Sequence, residues 1–441
     1  MNPLDAGTAA VRAVSVLLLT VSLVKLVFVP LAAWFEMRVR RAARHREASH
    51  RPARAASTRR RGRRAPHRRS AGTLVSVIVP AYNEGVVLAA CIESILASRH
   101  PHLEIIIVDD GSTDDTAVVM HRLAAAHRRV RAVQQANAGK GAALNRGIAL
   151  ARGDVMLFVD ADGLFTPQTV PWMLAGLTDS RVGAVCGDDR PANPDRPLTQ
   201  LLSVLSHVGT GLVRRALSLL GCLPIVSGNV GAFRASVVRQ VGGFREDTIG
   251  EDLELTWRIH TAGYRVLFEP RAIVYAESPS TLRGLWRQRV RWARGLLQTT
   301  RIHRRLIGNP SYGTFGVFLA LNTFAMIVAP VLQLVVLAGL IALAAAGRPP
   351  FEPGVLAVLG WLGILVSVLL AAFAISLNAA WRDLRYLWTV PLWPIYSVAM
   401  GFTMAAALWH ELRGAPARWN KLQRTGVVTA GVAAGIARGR G

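Results

Sequence analysis

The stretch Val155-Met-Leu-Phe-Val-Asp-Ala-Asp162 predicts a buried β-strand that ends in two carboxylates. A short apolar run followed directly by acidic residues is typical of a strand buried in a parallel sheet. Side chains two positions apart in an extended chain point the same way, so Asp160 and Asp162 are expected to face one site. Such oxygen ligands suit Mg²⁺ or Mn²⁺, which also takes oxygens from substrate phosphates. A turn without any ligand would use the same residues, so the pair needs support from the rest of the chain.

Two earlier apolar runs, 75–79 and 104–108, end in a similar way. The first runs into Pro80, Ala81, Tyr82, Asn83 and Glu84, and the second into Asp109, Asp110, Gly111 and Ser112. Helical patterns near 86–97, 114–127 and 141–151 alternate with the three strands. This alternation predicts a mainly parallel sheet, in which ligand sites lie at the carboxyl ends of the strands.

The adjacent acids Asp109 and Asp110 can accept hydrogen bonds from a nucleotide base and from ribose hydroxyls. Two like charges side by side are costly unless they are solvated or used in binding. The neighbouring Asp114 has a simpler interpretation, as the N-cap of the following helix.

Lys140 is predicted to lie at the start of a helix, in Gly139-Lys-Gly-Ala-Ala-Leu-Asn145, and it is the only lysine between Lys25 and Lys421. A cation at a helix N-terminus can contact a phosphate or a substrate carboxylate. The spacing of a nucleoside-triphosphate phosphate loop is absent.

Three later motifs contain further candidate residues: Ser227-Gly-Asn229, Gly250-Glu-Asp252 and Gln288-Arg-Val-Arg-Trp292. The acids of the second motif open a predicted helix, where they either stabilise the helix dipole or act as a general base on a hydroxyl group. The third motif lies in a basic amphipathic stretch, for which docking on a membrane surface is the simpler alternative.

An apolar run over 13–35, interrupted only by Lys25, is long enough to span a bilayer core of about 30 Å. The segment 37–72 then holds 14 arginines and a single acid, Glu47, which accounts for about half of the net charge of +25. Such a cluster predicts attraction to anionic lipid and a cytoplasmic location for the residues that follow. Nucleic acid is disfavoured as a partner because no aromatic interleaving or reading helix accompanies the arginines. Residues 45–72 are expected to form a disordered tether.

Apolar segments return at about 315–346, 354–380 and 387–409 and predict a C-terminal membrane region. Three crossings would leave the tail outside, whereas the basic residues Arg413, Arg418, Lys421 and Arg424 favour a cytoplasmic tail, so the sequence leaves the number of crossings open. The predicted division of the chain is an N-terminal transmembrane helix 1–36, an Arg-rich cytoplasmic linker 37–73, an α/β domain with interfacial helices 74–300, a C-terminal transmembrane region 301–412 and a basic tail 413–441. The three scattered cysteines lack metal spacing and are expected to be reduced.

In their order along the chain, these motifs resemble those of the family 2 processive glycosyltransferases, the family of cellulose, chitin, hyaluronan and bacterial poly-N-acetylglucosamine synthases. The matching motifs are Pro-Ala-Tyr-Asn-Glu, Asp-Asp-Gly-Ser, Lys-Gly-x-Ala-Leu-Asn, Asp-x-Asp, Ser-Gly-Asn, x-Glu-Asp and Gln-x-x-Arg-Trp. The stretches Ser227–Arg234 and Trp419–Gly426 look most similar to the poly-N-acetylglucosamine branch. Two features depart from the pattern: Gly250 stands where Thr usually precedes Glu-Asp, and one N-terminal span is predicted where relatives often show two.

The resemblance implies a GT-A fold, the α/β fold of nucleotide-diphospho-sugar transferases, flanked by transmembrane helices. It implies inverting, processive transfer of a sugar, N-acetylglucosamine being the best candidate, from a UDP-sugar to a growing β-linked glycan that is exported. Asp252, beside Glu251, would be the catalytic base, and Asp162, helped by Asp160, would hold Mg²⁺ or Mn²⁺. The other implied roles are nucleotide-sugar binding by Pro80, Tyr82, Glu84, Asp109, Asp110, Lys140, Asp160, Gln288 and Arg291, and acceptor binding by Ser227, Gly228, Asn229 and Trp292.

Membrane lipid and a small accessory membrane subunit are the other implied partners, and the implied location is the plasma membrane, crossed several times, with the catalytic domain cytoplasmic. Two other functions stay open. A non-processive transferase would act on a lipid such as polyprenyl phosphate, although such enzymes generally lack Gln-x-x-Arg-Trp. An inactive membrane scaffold would not need Asp160, Asp162, Asp252 and Trp292, which are all present.

Overall fold

The computed structural model describes residues 3–55, 72–415 and 426. Its first elements are the helices α1 (Pro3–Val24) and α2 (Phe28–Ala55), joined by the 3₁₀ turn Lys25–Val27. The apolar run that predicted the first span lies within this longer helical segment.

The helix α2 continues to Ala55, into the segment predicted to be a disordered tether. The composition explains the difference, because Ala, Arg and Glu are all strong helix formers. The remaining residues of that tether, 56–71, lie outside the described residues. Most of the predicted tail, 416–425 and 427–441, also lies outside them.

A mixed β-sheet organises the middle of the chain. Its strands in the described residues are β1 (Val75–Ala81), β2 (Leu103–Asp110), β3 (Val130–Gln135), β4 (Val155–Phe158), β5 (Leu164–Phe165), β6 (Val182–Pro191), β7 (Gly231–Arg234) and β8 (Arg265–Ala276). They lie in the order β3-β2-β1-β4-β7-β6-β8-β5. Strands occupy all three positions at which the sequence predicted them.

The helices of this domain are α3 (Gly85–Leu96), α4 (Thr116–Ala126), α5 (Lys140–Leu150), α6 (Thr169–Gly176), α7 (Pro197–Val208), α8 (Arg215–Leu219), α9 (Ala235–Gln240), α10 (Glu251–Thr261) and α11 (Leu282–Ile302). A π-helical turn, Gly209–Arg214, joins α7 to α8. We call residues 75–302 the sheet domain.

The direction of the strands brings the predicted motifs together. The pairs β1–β2, β1–β4 and β2–β3 are parallel, as predicted. Strand β7 pairs antiparallel with both β4 and β6, so β6 runs in the same direction as β4, and β8 lies parallel to β6. Strands β1, β2, β3, β4, β6 and β8 thus run in one direction. Their carboxyl ends meet at one edge of the sheet, where ligands bind in folds of this kind.

Close packing of helix α5 on the sheet fixes the position of Lys140, its first residue. At Gly147 an added Cβ would lie only 2.3 Å from Cγ2 of Ile78 in β1. A larger residue at Gly147 would push the helix outward, since buried cores tolerate little extra volume. The apolar core thus holds Lys140 at the carboxyl edge of the sheet.

The chain beyond the sheet domain is mostly apolar helix. Its elements are two 3₁₀ turns (Arg304–Leu306 and Pro310–Tyr312), α12 (Gly313–Thr323), a π-helical turn (Phe324–Val328), α13 (Ala329–Ala345), α14 (Pro353–Leu377), a 3₁₀ segment (Trp381–Leu392) and α15 (Trp393–Leu412). Within the part of the chain that the structure describes, three stretches are long and apolar enough to cross a membrane: Pro310–Ala345, Pro353–Leu377 and Trp381–Leu412.

The third of these stretches begins and ends against the sheet domain. Near its start, an Asp383 oxygen lies 2.8 Å from Nε2 of His207, and near its end Glu411 accepts a 2.6 Å hydrogen bond from Arg294. The opposite end of the helical region is marked by the 3.0 Å ion pair of Arg348 with Asp5. The chain therefore leaves α15 on the side of the sheet domain.

Arg215 joins the helical region to the sheet domain. Its side chain is only 2% exposed and lies 3.4 Å from Glu36 of α2. It also donates a 2.6 Å hydrogen bond to the side chain of Asn378, just after α14. Removing one member of a buried ion pair leaves the other charge uncompensated, which costs about 3–5 kcal/mol.

We expect Arg215→Met to lower the thermal unfolding midpoint of the purified protein by several degrees, because Glu36 would keep only the exposed Arg40 as a partner and Asn378 would lose its charged donor. Arg181→Met is the matched control, since Arg181 pairs with Asp179 in an exposed position where ion pairs contribute about 0–1 kcal/mol. Equal losses of midpoint in the two variants would contradict a special role for the junction.

Candidate active site

A cavity of about 580 Å³ opens at the carboxyl edge of the sheet. Its walls come from the ends of β4, β6 and β8, from the first turn of α10, from α11 and from the π-helical turn. Eleven predicted site residues line it: Lys140, Asp160, Asp162, Ser227, Gly228, Asn229, Glu251, Asp252, Gln288, Arg291 and Trp292. The structure therefore brings together residues that are distant in sequence; Lys140 and Trp292 are 152 positions apart.

Lys140 lies at the centre of the charged part of the cavity. Its Nζ is 2.8 Å from Oδ1 of Asp160 and 3.0 Å from Oε1 of Glu251. Burial alone would lower the pKa of Lys140, but the surrounding carboxylates raise it above the ordinary value, so the amine stays charged. One cation thus holds the end of β4 and the start of α10 together.

Asp252 is held so that one carboxylate oxygen faces the Ser-Gly-Asn motif. Its Oδ2 accepts a 3.1 Å hydrogen bond from the backbone N–H of Gly228, and its Oδ1 accepts one from Leu253. Burial, together with the negative charge of Glu251, raises the pKa of Asp252 to about 6. A carboxylate with this pKa can take a proton near neutral pH more readily than an ordinary Asp.

The residues after β4 fit a divalent cation. Asp160 and Asp162 both line the cavity, and the amide oxygen of Asn229 is buried there with no hydrogen-bond donor in the described part of the chain. That oxygen is close to the turn after Asp162, since a Cβ added at Gly163 would lie 2.5 Å from it. Two carboxylates and an unpaired amide oxygen are suitable ligands for Mg²⁺ or Mn²⁺.

The described residues contain no group of three or more His, Cys, Asp or Glu side chains arranged for a metal. A cation at Asp160 and Asp162 would therefore depend on oxygens from elsewhere, as Mg²⁺ does when substrate phosphates complete its shell. All three cysteines are free and buried, in agreement with the prediction of reduced thiols.

The acids predicted to read the nucleotide are instead occupied by protein donors. Asp110 is fully buried and accepts hydrogen bonds from the backbone N–H groups of Ala138 and Gly139 and from the side chain of Gln135. Asp109 accepts from the backbone N–H and the hydroxyl of Ser112. In this arrangement Asp110 holds the loop that leads into Lys140.

Pro80, near the end of β1, and Tyr82 and Glu84, just after it, lie next to this pair and do not line the cavity. The backbone N–H of Glu84 donates to Thr116 at 2.7 Å, which joins the two strand ends. Asp114 accepts a 3.0 Å hydrogen bond from the backbone N–H of Thr116, the first residue of α4, but Asp115 occupies the N-cap position, so the predicted N-cap was wrong by one residue.

Helix α11 presents the last motif to the cavity. Gln288, Arg291 and Trp292 line one wall, and half of the Trp292 side chain is exposed. The guanidinium carbon of Arg289 lies 4.3 Å from the centroid of the Trp292 ring. The indole is thus covered on one side by a cation, and such contacts stabilise the ring position by about 0.5–1 kcal/mol or more.

A pair of glycines explains why Thr is absent before Glu251. A Cβ added at Gly250 would lie 2.9 Å from the Cα of Gly295 in α11, and a Cβ at Gly295 would meet Gly250 at the same distance. Backbone touches backbone at this point. The contact sets the distance between Asp252, two residues further on, and the wall formed by α11.

The cavity also contains charged residues that sequence reasoning missed: Asp189, Arg190 and Arg214. Arg214 lies 2.8 Å from Asp189, whose other oxygen accepts a hydrogen bond from Ser227. A signal was available, because the apolar run Val182–Cys186 is followed by Asp188-Asp-Arg190, the same change from strand to acid seen after β4.

The sequence profile described as "Glycosyltransferase like family 2" matches residues 71–295. Poly-beta-1,6-N-acetyl-D-glucosamine synthases of Staphylococcus aureus (strain COL) and Staphylococcus epidermidis are 33% and 32% identical over 222 residues. These residues make up 50% of this chain and 54% of each relative, so the chain spans about half the length of the curated relatives it matches.

A solved structure, the mannosyltransferase PcManGT from Pyrobaculum calidifontis in complex with GDP-Man and Mn²⁺, is similar with a TM-score of 0.60 and 22% identity. The similarity covers 94% of this chain and 100% of that one. It confirms the predicted GT-A fold with apolar helices attached.

We expect Gly250→Ala to reduce the rate of sugar transfer about 10-fold or more, because the new Cβ would displace α11 from Asp252 and small misplacements are costly in an active site. The rate is measured with saturating donor in purified protein. Gly360→Ala is the control, since a Cβ there meets nothing within 4 Å. A Gly250→Ala protein with the full rate would show that the close approach of α10 and α11 is not needed.

Proposed function

Because the chain belongs to the family 2-like glycosyltransferases and is therefore a sugar-transferring enzyme, we propose that it moves N-acetylglucosamine from a UDP-sugar onto a growing β-linked polysaccharide. The observation that supports this most is that Asp252, Trp292 and the ion-paired group of Lys140, Asp160 and Glu251 (the Lys140 cluster) line a single cavity. The sugar is proposed from the Staphylococcus relatives, whose names specify poly-N-acetylglucosamine.

Asp252 acts as the general base in this proposal. Its carboxylate takes the proton from an acceptor hydroxyl, whose oxygen forms a bond to the anomeric carbon of the donor. The bond between that carbon and the nucleoside diphosphate breaks, and the electron pair leaves with the diphosphate. One displacement of this kind inverts the anomeric configuration.

Positive charge is available where the diphosphate leaves. Lys140 and Arg291 line the cavity, and Arg291 has no carboxylate partner in the described residues. Asp160 and Asp162 would hold Mg²⁺ or Mn²⁺, which would supply further positive charge to the leaving group. Of the two acids that end β2, Asp109 is proposed to contact the nucleotide directly. Asp110 is proposed to act by holding the loop before Lys140.

The acceptor is proposed to lie against Trp292. The half-exposed indole, backed by Arg289, offers a flat surface for a pyranose ring and demands no particular hydroxyl pattern. Such a surface suits a processive enzyme, which must bind each new chain end in the same place. Ser227, Gly228 and Asn229 form the facing wall.

The contacts between the apolar helices and the sheet domain support a proposed membrane arrangement. We propose a multi-pass protein of the plasma membrane, with the sheet domain on the cytoplasmic side and the glycan exported between the helices. The arginines of 37–72 support that orientation, because basic residues favour the cytoplasmic side. An accessory membrane subunit remains part of the proposal on resemblance alone.

The proposal is tested with membranes that contain the protein, supplied separately with radiolabelled UDP-N-acetylglucosamine, UDP-glucose or UDP-glucuronate. We expect large polymer only from the first donor, loss of transfer in EDTA, and recovery with Mg²⁺ or Mn²⁺. The Asp162→Ala protein, inserted at the normal level, is the control for the metal. Polymer from another donor would refute the proposed sugar, and full activity in EDTA would refute the metal.

The pH dependence tests the base. Because Asp252 must be deprotonated and its pKa is about 6, kcat/KM should fall about tenfold per pH unit below pH 6. Asp252→Asn should be slower by roughly 100-fold or more and should lose that pH dependence. The control, Asp247→Asn, changes an exposed acid in the loop before α10 and should behave like the wild type. If Glu251→Gln loses the pH dependence and Asp252→Asn keeps it, Glu251 is the base.

A further inference from the structure

The cations of the cavity fall into two groups. Most have a carboxylate partner: Lys140 pairs with Asp160 and Glu251, Arg190 with Asp188, and Arg214 with Asp189. The two guanidinium groups of α11, on Arg289 and Arg291, have none in the described residues. The cavity therefore has two positive charges without a protein anion beside them.

Arg289 is the more deeply buried member of this second group. Its Nε is shielded from solvent and has no hydrogen-bond partner in the described part of the chain, and burial lowers the pKa of the guanidinium from its ordinary value. The neighbour that interacts with its charge is Tyr396 of α15, a neutral group. Arg289 is half-buried, and a cation whose Nε is shielded in this way without a carboxylate beside it points to an anion supplied from outside.

The two arginines approach the cavity from opposite flanks of α11. Residues two positions apart in an α-helix are separated by about 200° around its axis. Arg291 lies on the flank facing the Lys140 cluster, and Gln288 and Trp292 lie between the two. Arg289 lies with Leu296 on the flank towards α15. A diphosphate held by Arg291 would therefore not satisfy Arg289.

The flank of Arg289 is apolar apart from the arginine itself. Leu202, Leu205, Leu296 and Tyr396 line this end of the cavity, and Tyr396 belongs to the third membrane-compatible stretch. An anion that reaches Arg289 along this wall would have an apolar portion to cover the leucines. This combination of one phosphate-binding cation and an apolar approach fits a lipid that carries a phosphate.

We propose that Arg289 forms a second anion site, on the acceptor side of the cavity, which binds the phosphate of a membrane lipid. Two lipids offer this chemistry: a phospholipid of the bilayer, or a lipid phosphate that itself receives the first sugar. The inference rests on the proposed function only in placing the acceptor beside Trp292. The guanidinium then contacts Trp292 with its face and the phosphate with its N–H edge.

The experiment measures lipid binding directly, with the full chain in phosphatidylcholine nanodiscs and radiolabelled polyprenyl phosphate as the probe. We expect Arg289→Gln to weaken binding about 10- to 100-fold, the effect of losing a charged hydrogen-bond partner. Arg289→Lys should recover part of it. The control is Arg287→Gln, which removes the same charge from an exposed position on the same helix and should bind like the wild type.

A second readout separates this site from the donor site. The KM for the UDP-sugar should be unchanged in Arg289→Gln and raised in Arg291→Gln. The thermal midpoint of Arg289→Gln should be equal to or above that of the wild type, because an uncompensated buried charge has been removed. Unchanged lipid binding in Arg289→Gln, or a donor KM raised as much as in Arg291→Gln, would overturn the proposal.

Competition identifies the source of the phosphate. If phosphatidylglycerol displaces the probe at comparable concentration and no sugar is added to the probe, the site takes a bilayer phospholipid. If the probe is retained and becomes glycosylated, the site takes a lipid acceptor. Loss of sugar transfer with lipid binding intact would count against the proposed function and leave the site standing.

Discussion

The salt bridges of Lys140 hold together three parts of the chain that are distant in sequence. The lysine begins α5, its first partner Asp160 follows β4, and its second partner Glu251 begins α10. Without the cation, several carboxylates would face one cavity and repel each other, and their pKa values would rise. The position of Asp252 depends on this arrangement, since it follows Glu251 directly and accepts a hydrogen bond from Gly228 on the facing loop. A single charge thus fixes the geometry on which the proposed chemistry depends.

Much of this site could be predicted because its residues follow a local rule. An apolar run that ends in acids identifies the carboxyl end of a strand, and parallel strands bring such ends together, so Asp160 and Asp162 could be placed from sequence. The same rule does not determine what Asp110 contacts. Whether an acid at a strand end contacts a nucleotide or a backbone N–H depends on the path of a loop almost thirty residues later. In this chain the N–H groups of Ala138 and Gly139 donate to the carboxylate oxygens of Asp110. No local pattern contains that information.

The strands that complete the sheet were missed for a related reason. Strand β3 was missed together with β5 to β8. Strands β5 to β8 are partly short and partly antiparallel, and they lie outside the regular alternation that predicted β1, β2 and β4. Their pairing decides that the end of β6 faces the cavity, and with it Asp189 and, through an ion pair, Arg214. The number of membrane crossings was also beyond the sequence, because hydropathy measures how apolar a helix is and not what its two ends contact. Asp383 and Glu411, through their partners His207 and Arg294, place both ends of the stretch Trp381–Leu412 against the sheet domain.

Helix α11 is where the membrane region and the chemistry become one structure. On one side Gly295 touches Gly250, at the start of the helix that carries Asp252, and on the other Arg294 and Gln298 donate to Glu411 of α15. The wall that holds Gln288, Arg291 and Trp292 is therefore clamped between the sheet domain and an apolar helix. A movement of α15 cannot leave this wall unchanged, since packed interiors transmit displacement and have few voids to absorb it. Relative to a soluble transferase, this arrangement lets the membrane surface determine the width of the cavity in which an acceptor must fit.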